Sequence, residues 1–285
     1  MEKIAYVNDR FVPESEASVS VFDRGFLFAD GIYEVTSVLK GQLIDFEGHV
    51  ARLRRSLSEL DMAFPLADEE LEALHHELIR KNDLVEGGVY IQITRGAAVR
   101  DFAYPADTRP TLVMFVVRKN LLDNPAAESG ISVITLEDIR WKRRDIKTVG
   151  LLGSAMAKEA AVRAGADDAW MYEDGFVTEG SSNNAYIVNA EGAIVTRPAS
   201  NEILNGITRR AVLRLAEETG MKLEERPFTV QEACEAREAF VTSATTIVMP
   251  VVKIDDSVIG TGKPGPVARH LRALYIEEAL ASIKD

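Results

Sequence analysis

Lys147 is the residue of this chain whose neighbours best suit it to covalent chemistry. It lies in residues 140–161, RWKRRDIKTVGLLGSAMAKEAA, where a basic run precedes it and an apolar pattern at helical spacing follows it. Partly apolar surroundings disfavour the charged form of a lysine, so its amine can attack a carbonyl carbon near neutral pH. Most lysines are solvated surface residues, and by residue type alone that is the commoner outcome for Lys147.

Three other places in the sequence suit an anion. Ile207 and Thr208 follow Asn205-Gly206 at the start of a predicted helix, where free amides and a glycine that permits close approach can hold a phosphate. Residues 243–246, SATT, offer hydroxyls and amides at the end of a strand, and Arg52 has the fork that binds phosphate through two hydrogen bonds. Each place has an ordinary alternative, such as a helix cap that binds nothing.

Glu179 adds an acid between a predicted strand and a glycine, although a surface position is the commoner fate of a glutamate. The combination is more informative than its parts. A shielded lysine, an acid after a hairpin, an anion site at a helix start and a turn of hydroxyls together meet the needs of pyridoxal 5'-phosphate, which takes a lysine, a partner for its pyridine nitrogen and a phosphate clamp.

The hydrophobic pattern predicts an α/β protein with two domains. Residues 119–130 lose periodicity and collect Asn, Asp, Pro, Ser and Gly, which indicates a linker between a small domain at 1–118 and a larger one at 131–285. In the first domain we predict two hairpins, two helices and two further strands, at 3–12, 33–44, 47–60, 68–81, 88–96 and 111–117.

The second predicted domain contains strands, hairpins and three longer helices. We predict strands at 131–136, 169–172, 176–178, 185–188, 193–196, 238–242 and 248–254, and helices that follow Lys147, begin at Ile207 and span 267–280. Pro250 is expected to break the last of these strands, because proline lacks a backbone donor.

Composition narrows the classes of function. The 285 residues are 46% hydrophobic and 27% charged, which is ordinary for a globular protein. A formal charge of −12 opposes nucleic-acid binding, since phosphate neutralisation needs a basic surface. No apolar run reaches the length of a membrane span, so we expect a cytoplasmic protein without a membrane partner.

Cysteine and histidine usage indicates neither a disulfide nor a metal site. Cys234 is the sole cysteine, and we expect it to be a structural residue of a helix. The four histidines show none of the spacings that bind zinc, and the adjacent pair His75 and His76 must point to different faces of a helix.

Several motifs resemble those of the class IV aminotransferases, the pyridoxal phosphate enzymes of fold type IV. They are DIK with LLG and AKEAA, then GFVTEGSSNNAYIV, then ILNGITR, in the family's order and spacing over nearly the whole chain. DGIYEV near the start and the loop Arg100-Asp101-Phe102 are most similar to the D-amino acid branch. The resemblance implies a small N-terminal domain, a larger cofactor-binding domain with a mixed, barrel-like sheet, and a homodimer.

The resemblance also implies a role for each candidate residue. Lys147 would form the aldimine with the cofactor and move protons, and Glu179 would keep the pyridine nitrogen protonated. Tyr33 would line the substrate side of the ring, and Arg100 would bind the substrate carboxylate. The implied phosphate contacts come from Arg52, Ile207, Thr208 and the turn formed by Ser243, Ala244 and Thr245.

Two positions depart from the family pattern. Phe102 stands where the D-amino acid branch commonly has a histidine, so the carboxylate clamp loses a donor. Two consequences are open: a weaker preference for acidic or small D-amino acids, or the acceptance of amines without a carboxylate. Ala244 stands where a phosphate-binding threonine is expected, which leaves the hydroxyl to Ser243 or Thr245. The basic run of Lys142, Arg143 and Arg144 has no role in this scheme.

The expected activity is a ping-pong transfer of the amino group of a D-amino acid to a 2-oxo acid, pyruvate or 2-oxoglutarate. The nearest alternative is an (R)-selective amine transaminase or an enzyme of mixed specificity. A branched-chain L-amino acid aminotransferase and an aminodeoxychorismate lyase are more distant alternatives within the same fold. A non-catalytic cofactor binder and a nucleic-acid module that uses the basic run represent other classes.

Overall fold

The computed structural model describes residues 2–64 and 66–283. The chain divides into two compact units. The first is Met1–Leu121 with Ile146–Gly150, and the second is Leu122–Asp145 with Leu151–Asp285. The domain limits drawn from the sequence stay a prediction, and each unit is described separately below.

An antiparallel six-stranded sheet forms the first unit, in the order β2-β1-β6-β5-β3-β4. Its strands are β1 (Ile4–Val7), β2 (Arg10–Pro13), β3 (Gly31–Leu39), β4 (Gln42–Leu43), β5 (Gly87–Thr94) and β6 (Thr111–Arg118). Lys40 and Gly41 join β3 to β4 and both have positive φ, as a two-residue type I′ turn requires. The predicted hairpins around these strands are therefore present.

Three helices accompany this sheet: α1 (Arg24–Phe28), α2 (Phe46–Glu59) and α3 (Asp68–Lys81). The apolar stripe of α2, with Leu53 and Leu57, packs with Leu71 of α3 against the buried side chains of β3 and β5. The bounds of α3 equal the predicted ones, because acids occupy its first turn and bases its last. This core fixes the positions of the side chains that β3 and α2 present.

Residues 146–150 lie along β3, although they come late in the sequence. The Tyr33 N–H donates to the Lys147 carbonyl at 2.9 Å, and the Val149 N–H donates to the Gly31 carbonyl at 3.1 Å. Ile32 and Thr148 form an isolated antiparallel bridge. These bonds explain why the segment containing Lys147 belongs to the first unit.

The second unit contains a mixed sheet that curls into a half-barrel. The strand order is β12-β11-β10-β13-β14-β7-β8-β9, with β15 paired to β14, and the pairs β14–β7, β7–β8 and β11–β12 are parallel. Its elements in chain order are α4 (Pro125–Ser129), β7 (Ile131–Glu137), α5 (Leu152–Arg163), β8 (Asp168–Glu173), β9 (Phe176–Gly180), β10 (Asn184–Val188), β11 (Ile194–Thr196), α6 (Ile207–Glu218), β12 (Leu223–Glu225), α7 (Val230–Cys234), β13 (Glu238–Ser243), β14 (Ile247–Ile254), β15 (Ser257–Val258) and α8 (Pro266–Ala281). The α/β class and the mixed, curled sheet confirm the predicted fold class.

Pro250 does not break β14, so that prediction is wrong. It pairs with Phe240 of β13, and the pairing of β14 with β7 begins only at Val251. Pro250 therefore lacks a strand neighbour on one side, which is a position where a sheet tolerates the missing N–H. Cys234 ends α7 as a free thiol on a helix, in agreement with the prediction.

Candidate active site

Lys147 is half-buried and its amine lies over an aromatic ring. The Nζ atom is 4.2 Å from the centre of the Tyr33 ring, which stacks on Tyr90 with 5.4 Å between ring centres. Contact with the face of an aromatic ring attracts a cation, while loss of water disfavours the charge. The backbone bonds to β3 hold the lysine in this place, beside the Tyr33 ring.

Arg52, on α2, is held by a buried acid of β3. Its Nε and Nη2 atoms donate to the two carboxylate oxygens of Glu34 at 2.7 and 2.8 Å, and His49 Nδ1 lies 2.9 Å from the same carboxylate. Burial opposes ionisation of Glu34, which is 1% exposed, but Arg52 and His49 outweigh it and hold its pKa well below the usual range. The guanidinium is thus fixed before any ligand arrives.

Glu179 is the matching buried acid of the second unit. It lies in β9, is 4% exposed, and accepts hydrogen bonds from Arg140 Nη1 at 2.7 Å, the Leu204 N–H at 3.0 Å and Asn184 Nδ2 at 3.1 Å. Burial raises the pKa of Glu179, and Arg140 and the Leu204 N–H oppose that rise. Three donors therefore orient the carboxylate and oppose the effect of burial on it.

The start of α6 is joined directly to this acid. Asn184 Nδ2 also donates to the Leu204 carbonyl at 2.8 Å, just before the helix. Gly206 is the N-cap and has no side-chain cap, and a Cβ there would lie 2.3 Å from Asn184 Oδ1. The glycine therefore permits Asn184 to approach, and the amides of Ile207 and Thr208 begin the helix without a capping side chain.

A turn of hydroxyl residues joins β13 to β14. Ser243 Oγ and Thr246 Oγ1 are 2.7 Å apart, and the Thr246 N–H donates to the Ser243 carbonyl. The next residue, Ile247, has φ of 59°, an unusual value for a β-branched side chain. Arg272 of α8 donates to the carbonyls on both sides of Ile247, at 2.9 and 3.1 Å, and so keeps the turn in this conformation.

Arg100 lies on the loop between β5 and β6 and is exposed. Its guanidinium carbon is 5.3 Å from the centre of the Phe28 ring and 5.8 Å from that of Phe102. Phe102 is 79% exposed and its ring lies 5.5 Å from Phe28. At the position of the expected histidine, an aromatic ring therefore contacts the arginine.

The basic run that precedes Lys147 consists of ion-paired residues. Lys142 and Arg144 contact Glu173 at 3.0 and 2.8 Å, and Arg143 contacts Asp145 at 3.0 Å. Arg140 contacts Asp138 as well as Glu179, each at 2.7 Å. Each of these cations therefore has an acidic partner, and Arg140 is the one that contacts Glu179.

Each unit brings together some of the residues singled out in the sequence. Tyr33 and Lys147 meet in the first unit, and Glu179 meets the start of α6 in the second. Sequence reasoning missed Glu34, Asn184 and the contact of Arg140 with Glu179. One local signal was present, since His49 and Arg52 are three residues apart and must share a face of α2.

The donors and acceptors fit pyridoxal phosphate. A capless helix start with a glycine, a hydroxyl turn and a fixed arginine are each groups that can bind a phosphate. A buried carboxylate held by three donors suits a protonated pyridine nitrogen, and a half-buried lysine suits a carbonyl group. Among the described residues, no group of three or more acidic, histidine or cysteine side chains is arranged to hold a metal ion, and none of the helices has the length and apolarity of a membrane span.

A family model described as amino-transferase class IV matches residues 31–254. The chain belongs to the class IV aminotransferases. This confirms the family inferred from the motifs around Lys147, Glu179 and Ile207.

Several class IV aminotransferases with known names or structures resemble the chain. The D-alanine aminotransferase of Staphylococcus haemolyticus is 41% identical over 270 residues, 94% of each chain. That of Bacillus licheniformis is 40% identical over 267 residues, 93% of each chain. The structure of a branched-chain amino acid aminotransferase from T.th. with pyridoxamine 5'-phosphate has a TM-score of 0.92 at 28% identity, and the match covers 99% of this chain and 96% of the other.

Proposed function

We propose that this class IV aminotransferase uses pyridoxal 5'-phosphate to move the amino group of a D-amino acid to pyruvate or 2-oxoglutarate. The two D-alanine aminotransferases support this donor, since they match more than nine-tenths of the chain at 41% and 40% identity. The pyridoxamine 5'-phosphate of the T.th. branched-chain enzyme supports the cofactor. The observation that carries the proposal is Glu179, a buried acid tied through Asn184 to the capless start of α6.

Bound pyridoxal phosphate supplies an electron sink for the electrons of the broken Cα–H bond. Lys147 Nζ removes the proton from Cα of the donor and, in the second half of the ping-pong cycle, delivers a proton to Cα of the product amino acid. This role requires the amine to lie close to Cα, and the half-buried Lys147 is held by its backbone bonds to β3. Glu179 would accept a hydrogen bond from the protonated pyridine nitrogen and so keep that proton in place.

The proposed phosphate ligands are those that the family resemblance implies. Arg52 supplies a charged donor, and Ile207 and Thr208 supply backbone amides at the positive end of α6. The turn supplies the hydroxyl of Ser243 or Thr245, while Ala244 has only its backbone to offer. These groups would hold the cofactor phosphate in place while Lys147 transfers the Cα proton.

The substrate is proposed to contact Tyr33 and Arg100. The Tyr33 ring lies beside the lysine amine, and the Arg100 fork suits a carboxylate. The partners are small amino donors and 2-oxo acids, with a homodimer as the working form in the cytoplasm. Cys234 is a free thiol, which is compatible with a reducing compartment.

A panel of amino donors tests the proposed reaction. Purified enzyme with added pyridoxal phosphate is assayed with D-alanine, L-leucine or (R)-1-phenylethylamine as donor and 2-oxoglutarate as acceptor. D-Alanine is expected to have the highest kcat/KM. L-Leucine as the only good donor would contradict the proposal.

The exposed Phe102 favours a second candidate, an (R)-selective amine transaminase. The phenyl ring removes a polar contact for a carboxylate and adds apolar surface beside Arg100. Higher kcat/KM with (R)-1-phenylethylamine than with D-alanine in the same panel would establish this alternative.

A further inference from the structure

Arg24 is a buried arginine that holds the loop containing Arg100. It is 3% exposed, and its Nη1 donates to the Asp101 carbonyl at 2.6 Å and the Ala103 carbonyl at 3.3 Å. Its Nη2 donates to the Phe102 carbonyl at 3.4 Å. Three consecutive carbonyls that follow Arg100 therefore converge on one guanidinium group.

A second arginine holds the end of the same loop. The guanidinium carbon of Arg95 lies 3.6 Å from the centre of the Tyr104 ring, and its Nη2 donates to the Leu60 carbonyl at 2.7 Å. Arg95 and Arg24 both donate through Nε to one oxygen of Asp30, at 2.8 and 2.7 Å. Two buried cations thus share a single carboxylate, and the loop carbonyls supply the remaining negative potential that Arg24 needs.

The helix that starts with Arg24 is firmly attached to the sheet. Asp23 caps α1 by accepting the Gly25 N–H at 2.8 Å, and the Arg24 N–H donates to the Gly96 carbonyl at 2.9 Å. A Cβ on Gly25 would lie 2.2 Å from the Thr94 side chain, so glycine is required for α1 to pack directly on β5. Since α1 is fixed on the sheet and Arg24 binds the loop carbonyls, Arg24 fixes the position of the loop relative to the sheet.

By contrast, the Arg100 side chain is exposed, and its guanidinium group lies near the Phe28 and Phe102 rings. Its backbone is adjacent to the three carbonyls that Arg24 binds, while its charged end remains accessible. An ordered backbone with an exposed side chain suits ligand binding, because less conformational entropy is lost when the ligand binds.

We propose that Arg24 is a positioning residue for the substrate carboxylate, which it serves by fixing residues 101–103 and hence the place of Arg100. The inference rests on the proposed role of Arg100. Arg24 acts in this proposal through the loop backbone that it binds. Lysine cannot replace it, because a single ammonium group can pair with Asp30 but cannot reach three carbonyls with the geometry of a planar fork.

The test compares two donors on each of four enzymes. Wild type, Arg24→Lys, Arg100→Ala and Arg54→Lys are assayed with D-alanine, which has a carboxylate, and (R)-1-phenylethylamine, which has none. Arg54 is the matched control, since it also donates to loop carbonyls of the first unit, those of Phe64 and Leu66, and pairs with Asp68. The ratio of kcat/KM for the two donors cancels differences in the folded fraction.

Arg24→Lys is expected to lower kcat/KM for D-alanine roughly 10-fold, mainly through KM, with little change for the amine. Arg100→Ala is expected to lower it roughly 10- to 100-fold with the same selectivity, and Arg54→Lys is expected to leave the ratio unchanged. Hydrogen exchange of the peptide containing residues 101–104 should be faster in Arg24→Lys than in wild type, whether or not cofactor is added.

The outcomes separate this inference from the proposed function. A selective loss in Arg100→Ala without one in Arg24→Lys, or unchanged exchange in the loop, would overturn the role of Arg24. An equal loss for both donors in Arg100→Ala would instead remove Arg100 as the carboxylate ligand. If Arg24→Lys is poorly soluble, Arg24→Gln is measured in its place, because the donor ratio needs only a folded minority.

Discussion

Glu179 and Arg100 are held in different ways. Glu179 is buried, and three donors bind its carboxylate directly. The Arg100 side chain is exposed, and its place is set through the carbonyls that follow it in the loop. Arg52 resembles Glu179 in this respect, because the carboxylate of Glu34 binds its guanidinium group.

This difference corresponds to the proposed division between cofactor and substrate. Glu179 and Arg52, which are proposed to bind the cofactor that serves every substrate, are fixed by charged partners in the interior. Arg100, which is proposed to bind the carboxylate of the varying substrate, lies on a loop and has an exposed side chain. Substitutions of the first kind should therefore affect all donors alike, and substitutions in the loop should discriminate between donors.

The largest expected effect is that of Glu179→Gln. Glutamine preserves the shape but cannot keep the pyridine nitrogen protonated, so we expect kcat to fall about 100-fold or more with D-alanine and with (R)-1-phenylethylamine alike. Glu173→Gln is the control, since Glu173 pairs with the same basic run but is partly exposed. A loss confined to one donor would show that Glu179 acts on the substrate.

The second prediction concerns Arg52 and the acid that holds it. Glu34→Gln and Arg52→Ala should each weaken binding of pyridoxal phosphate roughly 10- to 100-fold, because charge-assisted contacts are lost. Affinity for pyridoxal, which lacks the phosphate, should change little. Fluorescence titration of the cofactor-free protein measures both.

Arg55→Ala serves as the control for this pair, since Arg55 lies on the same helix and pairs with Glu59 at the surface. If Arg52→Ala weakened the binding of pyridoxal and of pyridoxal phosphate equally, Arg52 would not contact the phosphate. The ion pair of Arg52 with Glu34 would then have a structural role only.

The smallest expected effect is on the free energy of unfolding. It concerns His75, which differs from the other buried histidine, His49, in its hydrogen bonds. His49 pairs with Glu34, whereas the Nε2 atom of His75 has no hydrogen-bond partner among the described residues. Burial lowers the pKa of His75 from 6.5 to about 4, against the opposing effect of the hydrogen bond from Nδ1 to the Leu71 carbonyl. Between these values the unfolded chain binds more protons than the folded one, so stability falls as the pH drops from 6.5 towards 4.

The His75 contribution is about 2 kcal/mol of unfolding free energy between pH 7 and pH 5. Urea unfolding of wild type and His75→Leu at both pH values measures it, with the exposed His76→Leu as control. The decrease in unfolding free energy between pH 7 and pH 5 should be smaller in His75→Leu by about that amount. If wild type and His75→Leu showed the same decrease, protonation of His75 would not destabilise the folded protein.

Local patterns predicted much of the fold. Helix α3 has its predicted bounds because charges mark both ends, and the hairpin at Lys40-Gly41 follows from a turn that few residues can form. The prediction that Pro250 breaks its strand was wrong, because proline is tolerated where β14 has not yet paired with β7. The local sequence does not show where that pairing begins. The class IV family followed from motifs, and the roles of individual site residues remain proposals.

The partners of the charged residues did not follow from the sequence. Arg140 meets Glu179 across 39 residues, and Arg24 meets the loop carbonyls across 77 to 79 residues. Such contacts depend on strand register and loop path, so neither residue type nor spacing reveals them. Lys147 likewise joins the first unit only because its backbone pairs with β3.

The most direct test of the account is the covalent attachment of the cofactor to Lys147. The enzyme is loaded with pyridoxal phosphate, reduced with borohydride, digested and mapped by mass spectrometry, with Lys147→Ala treated in parallel. We predict that the added mass lies on the peptide containing Lys147, and that the variant loses both this label and transamination. A label on another lysine, together with turnover that survives in Lys147→Ala, would contradict the account.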